Sequence, residues 1–422
     1  MNAAATTEQP SDLATTIDEA AAAVEERVIA WRRDFHEHPE LGNRETRTAA
    51  IVAEHLKSLG FDTVRSGVAH TGVIGVLKGK LPGKVVALRA DMDALPVTEE
   101  VDVPFASKAR TLWNGEEVGV MHACGHDCHT AILMGVASVL AGLRTQLRGS
   151  VKLIFQPAEE MPPKGEEGGA KMMIQEGALQ DPAPQAIFGL HVTSRQGVGT
   201  IGYRPGPTMA SSDRFSITVH GRQTHGAAPW LGVDPIVTSA QVVLGLQTVV
   251  SRGVDIAREP AVVTVGMIKG GVRENIIPDS VEMRGTIRTF DEGMRDDVHE
   301  RVTTLAEAVS RGSRAGCTVC IEKNYPVTVN DPALTAQMLP TLQRVAGADK
   351  VQLVPKVTGS EDFSYFQQLV PGLFFFVGVT RPDLDPSKAP ANHSPRFHVD
   401  ERALLLGVRA LAHVACDWLQ AQ

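Results

Sequence analysis

Apolar positions follow two rhythms along the chain. From Ile17 to about Phe35 they fall at helical spacing, with Val24, Val28 and Trp31 on one stripe. The run His36-Glu-His-Pro39 ends that helix, because the residue before proline avoids helical backbone. Thr46–Leu59 reads as a second helix stopped by Gly60, and Ala131–Leu143 as a third. The other rhythm is a short unbroken apolar run: Val73–Leu77, Val85–Leu88, Val151–Phe155 and Ala186–Leu190. Runs of this length, bounded by Gly, Pro and polar residues, read as buried strands. Strands alternating with helices predict an α/β layer with a mixed, mostly parallel sheet.

The rhythm breaks at Tyr203–Ser212, where YRPGPTMASS reads as a hinge. Beyond it the pattern predicts strand 214–219, helix 235–251, strands 261–268 and 281–289, helix 293–311 and strand 318–323. That β-α-β-β-α-β order is the ferredoxin-like α+β sandwich, which closes on itself as an inserted domain. The first fold then resumes near Asn330 with helix 332–345, strand 373–379 and helix 401–419. The predicted division is a disordered tail over 1–16, a first domain of 17–205 with 326–422, and an inserted domain of 206–325.

Composition narrows the function. With 422 residues, 43% hydrophobic and 21% charged, the chain is long enough for two ordinary globular domains. A net charge of -8 argues against a nucleic-acid or anionic-membrane partner held by bulk charge. The first residues lack the basic start and apolar core of a secretory signal, and no apolar run approaches the roughly 20 residues of a membrane span. Five cysteines, an odd number, do not form a disulfide framework, so a reducing cytoplasm is expected.

The chemistry gathers at predicted strand ends. Met121-His-Ala-Cys124-Gly-His126-Asp-Cys-His129 is dense in thiol and imidazole, both good ligands for zinc and related divalent metals. Gly125 lets the backbone bend so that Cys124 and His126 can turn to one centre. The sequence Gln156-Pro-Ala-Glu159-Glu160 follows a buried strand, and ligands of open α/β sheets gather at that edge. Adjacent carboxylates share a buried site cheaply only beside a cation; taken alone they equally fit a solvated acidic loop. One division of labour gives one carboxylate to a metal and its neighbour to general-base work. Asp91 and Asp93 end another apolar run, His191 ends a fourth, and His393 lies in a late loop.

The motifs RADMDALP, HACGHD, QPAEE, GLHV, GSEDF and HSP, in this order, resemble the metallo-amidohydrolases that include hippurate hydrolase, bacterial N-acyl-amino-acid amidohydrolases and plant auxin-conjugate hydrolases. Aminoacylases and carboxypeptidase G are more distant relatives. The resemblance spans about Val28 to Val414. It implies a zinc-peptidase-like catalytic domain, with the inserted domain serving as lid and dimerisation surface. It implies two divalent ions (zinc, manganese, cobalt or nickel) held by Cys124, His126, Glu160, His191 and His393. It further implies Glu159 as the base on a metal-bridging water, Asp93 as an orienting group and His225 as oxyanion stabiliser. Asn275, Arg288 and Gly359 would contact the substrate. Asp91 stands where distant relatives carry a metal-binding histidine and has no assigned role.

The activity so implied is hydrolysis of an N-acyl or N-aroyl amino acid to a carboxylic acid and a free amino acid, in a homodimer or higher homo-oligomer. A dipeptidase or a deacetylase of an amino-acid-like metabolite is the alternative. A non-catalytic binding protein is a third reading, disfavoured by the complete ligand set. Cys317-Thr-Val-Cys320 lies on a predicted strand without a second pair, which speaks against a structural zinc, and His129 is a candidate support behind the ligands. No P-loop, GxSxG elbow or strand-linked GxGxxG is present.

Overall fold

In the computed structural model, which describes residues 12–113, 115–160 and 162–421, the continuous apolar runs become the middle of an eight-stranded sheet. Its strand order is Thr63–Val68, Gly72–Lys78, Arg148–Gln156, Leu81–Asp91, Ala186–Gly197, Gly372–Thr380, Ile201–Tyr203 and Val351–Leu353. The four strands from Arg148–Gln156 to Gly372–Thr380 run parallel. Gly72–Lys78 joins them antiparallel and Thr63–Val68 pairs antiparallel with it in turn, so the sheet is mixed. Every residue of Gly372–Thr380 is buried, which is why its sequence shows no alternation.

Three helices cover this sheet: Asp12–Glu37, His126–Gly142 and Arg402–Gln420. They approach closely at Gly135, where a Cβ would lie 2.7 Å from Val28 and 2.9 Å from Val408. The first helix begins at Asp12, so residues 12–16 are helical rather than a disordered tail; residues 1–11 lie outside the described residues. Thr46–Ser58 is capped from outside, since Glu40 accepts from the backbone N–H groups of Arg47 and Thr48.

The chain divides into two compact units. The unit just described takes Met1–Gly206, Asn330–Val354 and Tyr365–Gln422, and the second takes Pro207–Val329 with Pro355–Ser364. The segment Pro355–Ser364, grouped with the first domain on sequence grounds, belongs to the second unit because its backbone pairs there: Ala210 N–H donates to the carbonyls of Val357 and Gly359.

The second unit holds a four-stranded antiparallel sheet in the order Ala261–Gly270, Ser280–Thr289, Asp213–His220 and Gly316–Lys323. Helices Pro235–Gly253 and Glu292–Gly312 pack on it around Phe215, Ile217, Val242, Leu246, Met283 and Val302. Strand Asp213–His220 alternates buried and more exposed residues, as a sheet covered on one face requires.

Candidate metal centre

The centre lies in the first unit, at the carboxyl edge of the parallel strands. Strand Arg148–Gln156 stops at Gln156, and Pro157-Ala158 turn the chain so that Glu159 and Glu160 follow at once. Ala158 has a positive φ of 51°. Gly125, at φ 96°, caps helix His126–Gly142, so that Cys124 stands just before the helix and His126 opens it. This corrects the expected helix start near Ala131. Strand Ala186–Gly197 runs past His191 rather than ending there. Its pairing with the Leu81–Asp91 strand ends at Arg89 opposite Gly189, so on that side His191 lies past the last paired residue, while on the other it pairs with Phe376.

Seven of the expected site residues meet here. The ligand atoms of Cys124, His126 and His191 lie within 4.8 Å of one another, and so do those of Cys124, Glu160 and His393. A third triad joins His126, Glu159 and Glu160. Cys124 Sγ is 3.3 Å from His191 Nε2, and His393 Nε2 is 2.8 Å from Glu160 Oε1. His126 Nδ1–H donates to Asp93 Oδ1 at 3.1 Å, which leaves Nε2 buried without a hydrogen-bond partner, 4.0 Å from Glu159 Oε2. Asp93 Oδ2 accepts the backbone N–H of Glu160 at 2.9 Å. His191 Nδ1–H donates to the carbonyl of Val192, so its Nε2 lone pair faces Cys124.

Electrostatics favour a cation. Burial and the charges of Glu160 and Glu159 push the Cys124 thiol well above its usual value. Burial pulls His126 down, but Asp91, Asp93 and Glu160 outweigh it and hold the ring at about 10. Burial and neighbouring His129 drive His191 well below the ordinary range, keeping it neutral. A thiol, three imidazoles and the Glu160 carboxylate, in two triads sharing one sulfur, fit a pair of divalent cations, with Glu159 close by in a third group with His126 and Glu160.

Apart from His129, a candidate support from the sequence, the other parts of the centre carried no assignment. Asp91 is committed to neighbours: Oδ1 accepts from His129 Nδ1–H at 2.5 Å and Oδ2 from Arg89 at 2.6 Å. His129 Nε2 in turn accepts the N–H of Val192, the residue after His191. Asn392 donates to the carbonyls of Cys124 and Val192, stitching the His393 loop to two ligand-bearing segments. Glu45 is fully buried and accepts the N–H of Ala158 at 2.9 Å. No sequence signal marked it.

The remaining expected residues belong to the second unit. His225, on a two-stranded ribbon, and Asn275, in the turn before its second strand, are both exposed, and Gly226 N–H donates to the Asn275 carbonyl. Arg288 sits on strand Ser280–Thr289 with a buried Nη1 that has no hydrogen-bond partner. Gly359 accepts from Ala210 N–H. Cys317 and Cys320 lie on one strand, and all five cysteines are free.

The profile of peptidase family M20/M25/M40 matches residues 87–417. The chain is 42% identical to thermostable carboxypeptidase 2 of Saccharolobus solfataricus over 92% of this chain and 94% of that one. It is 38% identical to the N-acetyl-L-cysteine deacetylase of Bacillus subtilis, over 90% and 86% of the two chains. A crystal structure of a Bacillus subtilis dinuclear metal-binding peptidase of the M20 family superposes with a TM-score of 0.78 at 34% identity, covering 95% of this chain and all of that one.

Proposed function

Because the chain belongs to peptidase family M20/M25/M40 and is by that membership a hydrolase, we propose that it cleaves the amide bond of N-acyl or N-aroyl amino acids with two divalent ions and Glu159. One observation carries the reading: two metal-competent triads share Cys124, and the Glu159 carboxylate stands beside them without belonging to either. When bound, such ions polarise the amide carbonyl and lower the pKa of a coordinated water. Cys124, His126, Glu160, His191 and His393 would hold them. Zinc, manganese, cobalt and nickel all suit this donor set.

The chain's own groups do the rest. Glu159, 5% exposed, accepts a proton from the attacking water and returns it to the leaving nitrogen. Asp93 accepts a hydrogen bond from the Nδ1–H of His126 and so keeps Nε2 turned to the centre. In the second unit, His225 is proposed as oxyanion stabiliser, Asn275 and Arg288 as binders of the substrate's polar end, and Gly359 as a further substrate contact. A guanidinium grips a free carboxylate bidentately, and Arg288 has Nη1 available. The likeness to a carboxypeptidase favours a peptide as the second substrate reading.

Five free cysteines suit the cytoplasm, and among the described residues no helix is long and apolar enough to cross a membrane. A homodimer is proposed on the apolar margin of the second unit, where edge strand Ala261–Gly270 exposes Met267 and Ile268 beside Leu244.

The test is purified protein loaded with each metal and offered N-acetyl, N-benzoyl and indole-acetyl amino acids and dipeptides. Glu159→Gln lowers kcat by about 100- to 10,000-fold while bound metal stays at the wild-type level. Near-wild-type turnover in that variant refutes the base assignment, and turnover that survives chelation refutes the metal reading.

A further inference from the structure

Glu45 is a carboxylate in an expensive place. It is 0% exposed, and the hydrogen bonds to its side chain come from neutral groups: the Ala158 N–H to Oε1 and the Thr71 hydroxyl, at 2.5 Å, to Oε2. A buried carboxyl costs several kcal/mol unless its setting repays it. An ordinary helix role does not explain it. Glu45 is the N-cap residue of Thr46–Ser58, yet its side chain makes no capping bond, and Glu40 satisfies the helix amides instead.

What Glu45 holds is the turn that delivers the two acidic residues of the centre. Ala158 adopts φ 51°, a left-handed conformation that costs a residue with a Cβ about 1–2 kcal/mol. Such a conformation persists only where the surroundings over-determine it, and it clusters at functional sites. The turn is also seated sterically, for a Cβ on Gly72 would meet Pro157 at 3.1 Å and one on Gly168 would meet Ala158 at 3.2 Å. The backbone amides on either side of Glu159 are thus each claimed by a carboxylate, Ala158 N–H by Glu45 and Glu160 N–H by Asp93.

We propose that Glu45 is a positioning residue: by gripping Ala158 from the start of helix Thr46–Ser58 and the head of strand Gly72–Lys78, it sets the direction in which Glu159 and Glu160 enter the metal centre. The proposal rests on the reading of Glu159 as base and Glu160 as ligand. It assigns Glu45 no contact with substrate or metal. The grip is a matter of acceptor geometry, with Oε1 on the Ala158 N–H and Oε2 on the Thr71 hydroxyl. Glutamine can reproduce it, with Oε1 accepting from Ala158 and Nε2 donating to Thr71.

The experiment compares Glu45→Ala, Glu45→Gln and Thr71→Val in the full chain, each metal-stripped and reconstituted with Co2+. The visible absorption spectrum and the Co2+ affinity are read beside kcat and KM for an N-acetyl amino acid. Glu45→Ala changes the Co2+ absorption envelope and lowers Co2+ affinity and kcat by about 10- to 100-fold, the usual cost of removing a partner behind the ligands, with KM little altered. Glu45→Gln recovers the wild-type spectrum and most of kcat. If Glu45→Ala keeps the wild-type spectrum and a kcat within about twofold, or if Glu45→Gln is as damaged as Glu45→Ala, the proposal is overturned. Should Glu45→Ala fail to fold, Thr71→Val, which leaves Glu45 a single anchor, decides by the same spectrum and kcat. A wild-type protein that turns over none of the substrates refutes the functional reading, while the Co2+ spectra of the variants still judge Glu45.

Discussion

Asp93 shows how much one side chain can settle. Its two oxygens face two donors from different segments, the His126 ring and the Glu160 amide. Asparagine has only one oxygen acceptor and would turn an N–H against one of those donors. Asp93→Asn is therefore expected to lower metal affinity and kcat by about 10- to 100-fold with little loss of thermal stability. Metal analysis beside kcat checks it, and unchanged metal content with full activity would contradict it. Residue types alone placed Asp91 and Asp93 two apart at one strand end, but not their separate duties. Arg89 and His129 occupy both oxygens of Asp91, a fact set by packing rather than by the local motif. Glu45 was illegible for the same reason: its partner Ala158 lies 113 residues along the chain.

At the scale of elements, one buried ion cluster ties a helix to a strand. Asp213, at the head of strand Asp213–His220, accepts from Arg295 Nε at 2.9 Å and Nη2 at 2.6 Å, and from His299 Nε2 at 2.9 Å. Burial raises the Asp213 pKa, but His299 and Arg295 outweigh it and leave the carboxyl below its ordinary value. A depressed folded-state pKa means stability that is complete above the unfolded value of about 3.9 and lost as pH falls through the folded one. Asp213→Asn is expected to destabilise the second unit by about 1.5–3 kcal/mol, because it removes the charge bound to Arg295 Nε and Nη2 and leaves the guanidinium only Glu292 and the Asn324 carbonyl. Melting curves from pH 7 to 3 test both points: the variant melts lower at neutral pH, and the gap to wild type narrows in acid. The long helices and buried strands around this cluster were legible from periodicity. Ile201–Tyr203 and the hairpin of Arg110–Trp113 with Glu116–Gly119 were not, since strands of three or four residues carry too little pattern to rise above their loops.

For the whole molecule, the edge of the second unit's sheet bears on assembly. Among the described residues Ala261–Gly270 is an edge strand, paired on one side, with exposed Val262, Met267 and Ile268. An antiparallel pairing of that edge with its own copy across a two-fold axis would cover it. Light scattering is expected to give a dimer for the wild type and a monomer for Ile268→Glu, with unchanged circular dichroism; a wild-type monomer at working concentration would refute the dimer. By itself the sequence determined which donors are available, the strand ends they follow, and the two-layer and ferredoxin-like patterns, because composition and periodicity act locally along the chain. Only the tertiary structure decided which atoms converge. Cys124, His126, Glu160, His191 and His393 are spread over 270 positions, and the roles left to Asp91, His129 and Glu45 depend on which lone pair each neighbour has already claimed. Hydrogen-bond allocation is a property of packed surfaces, and no linear motif specifies it.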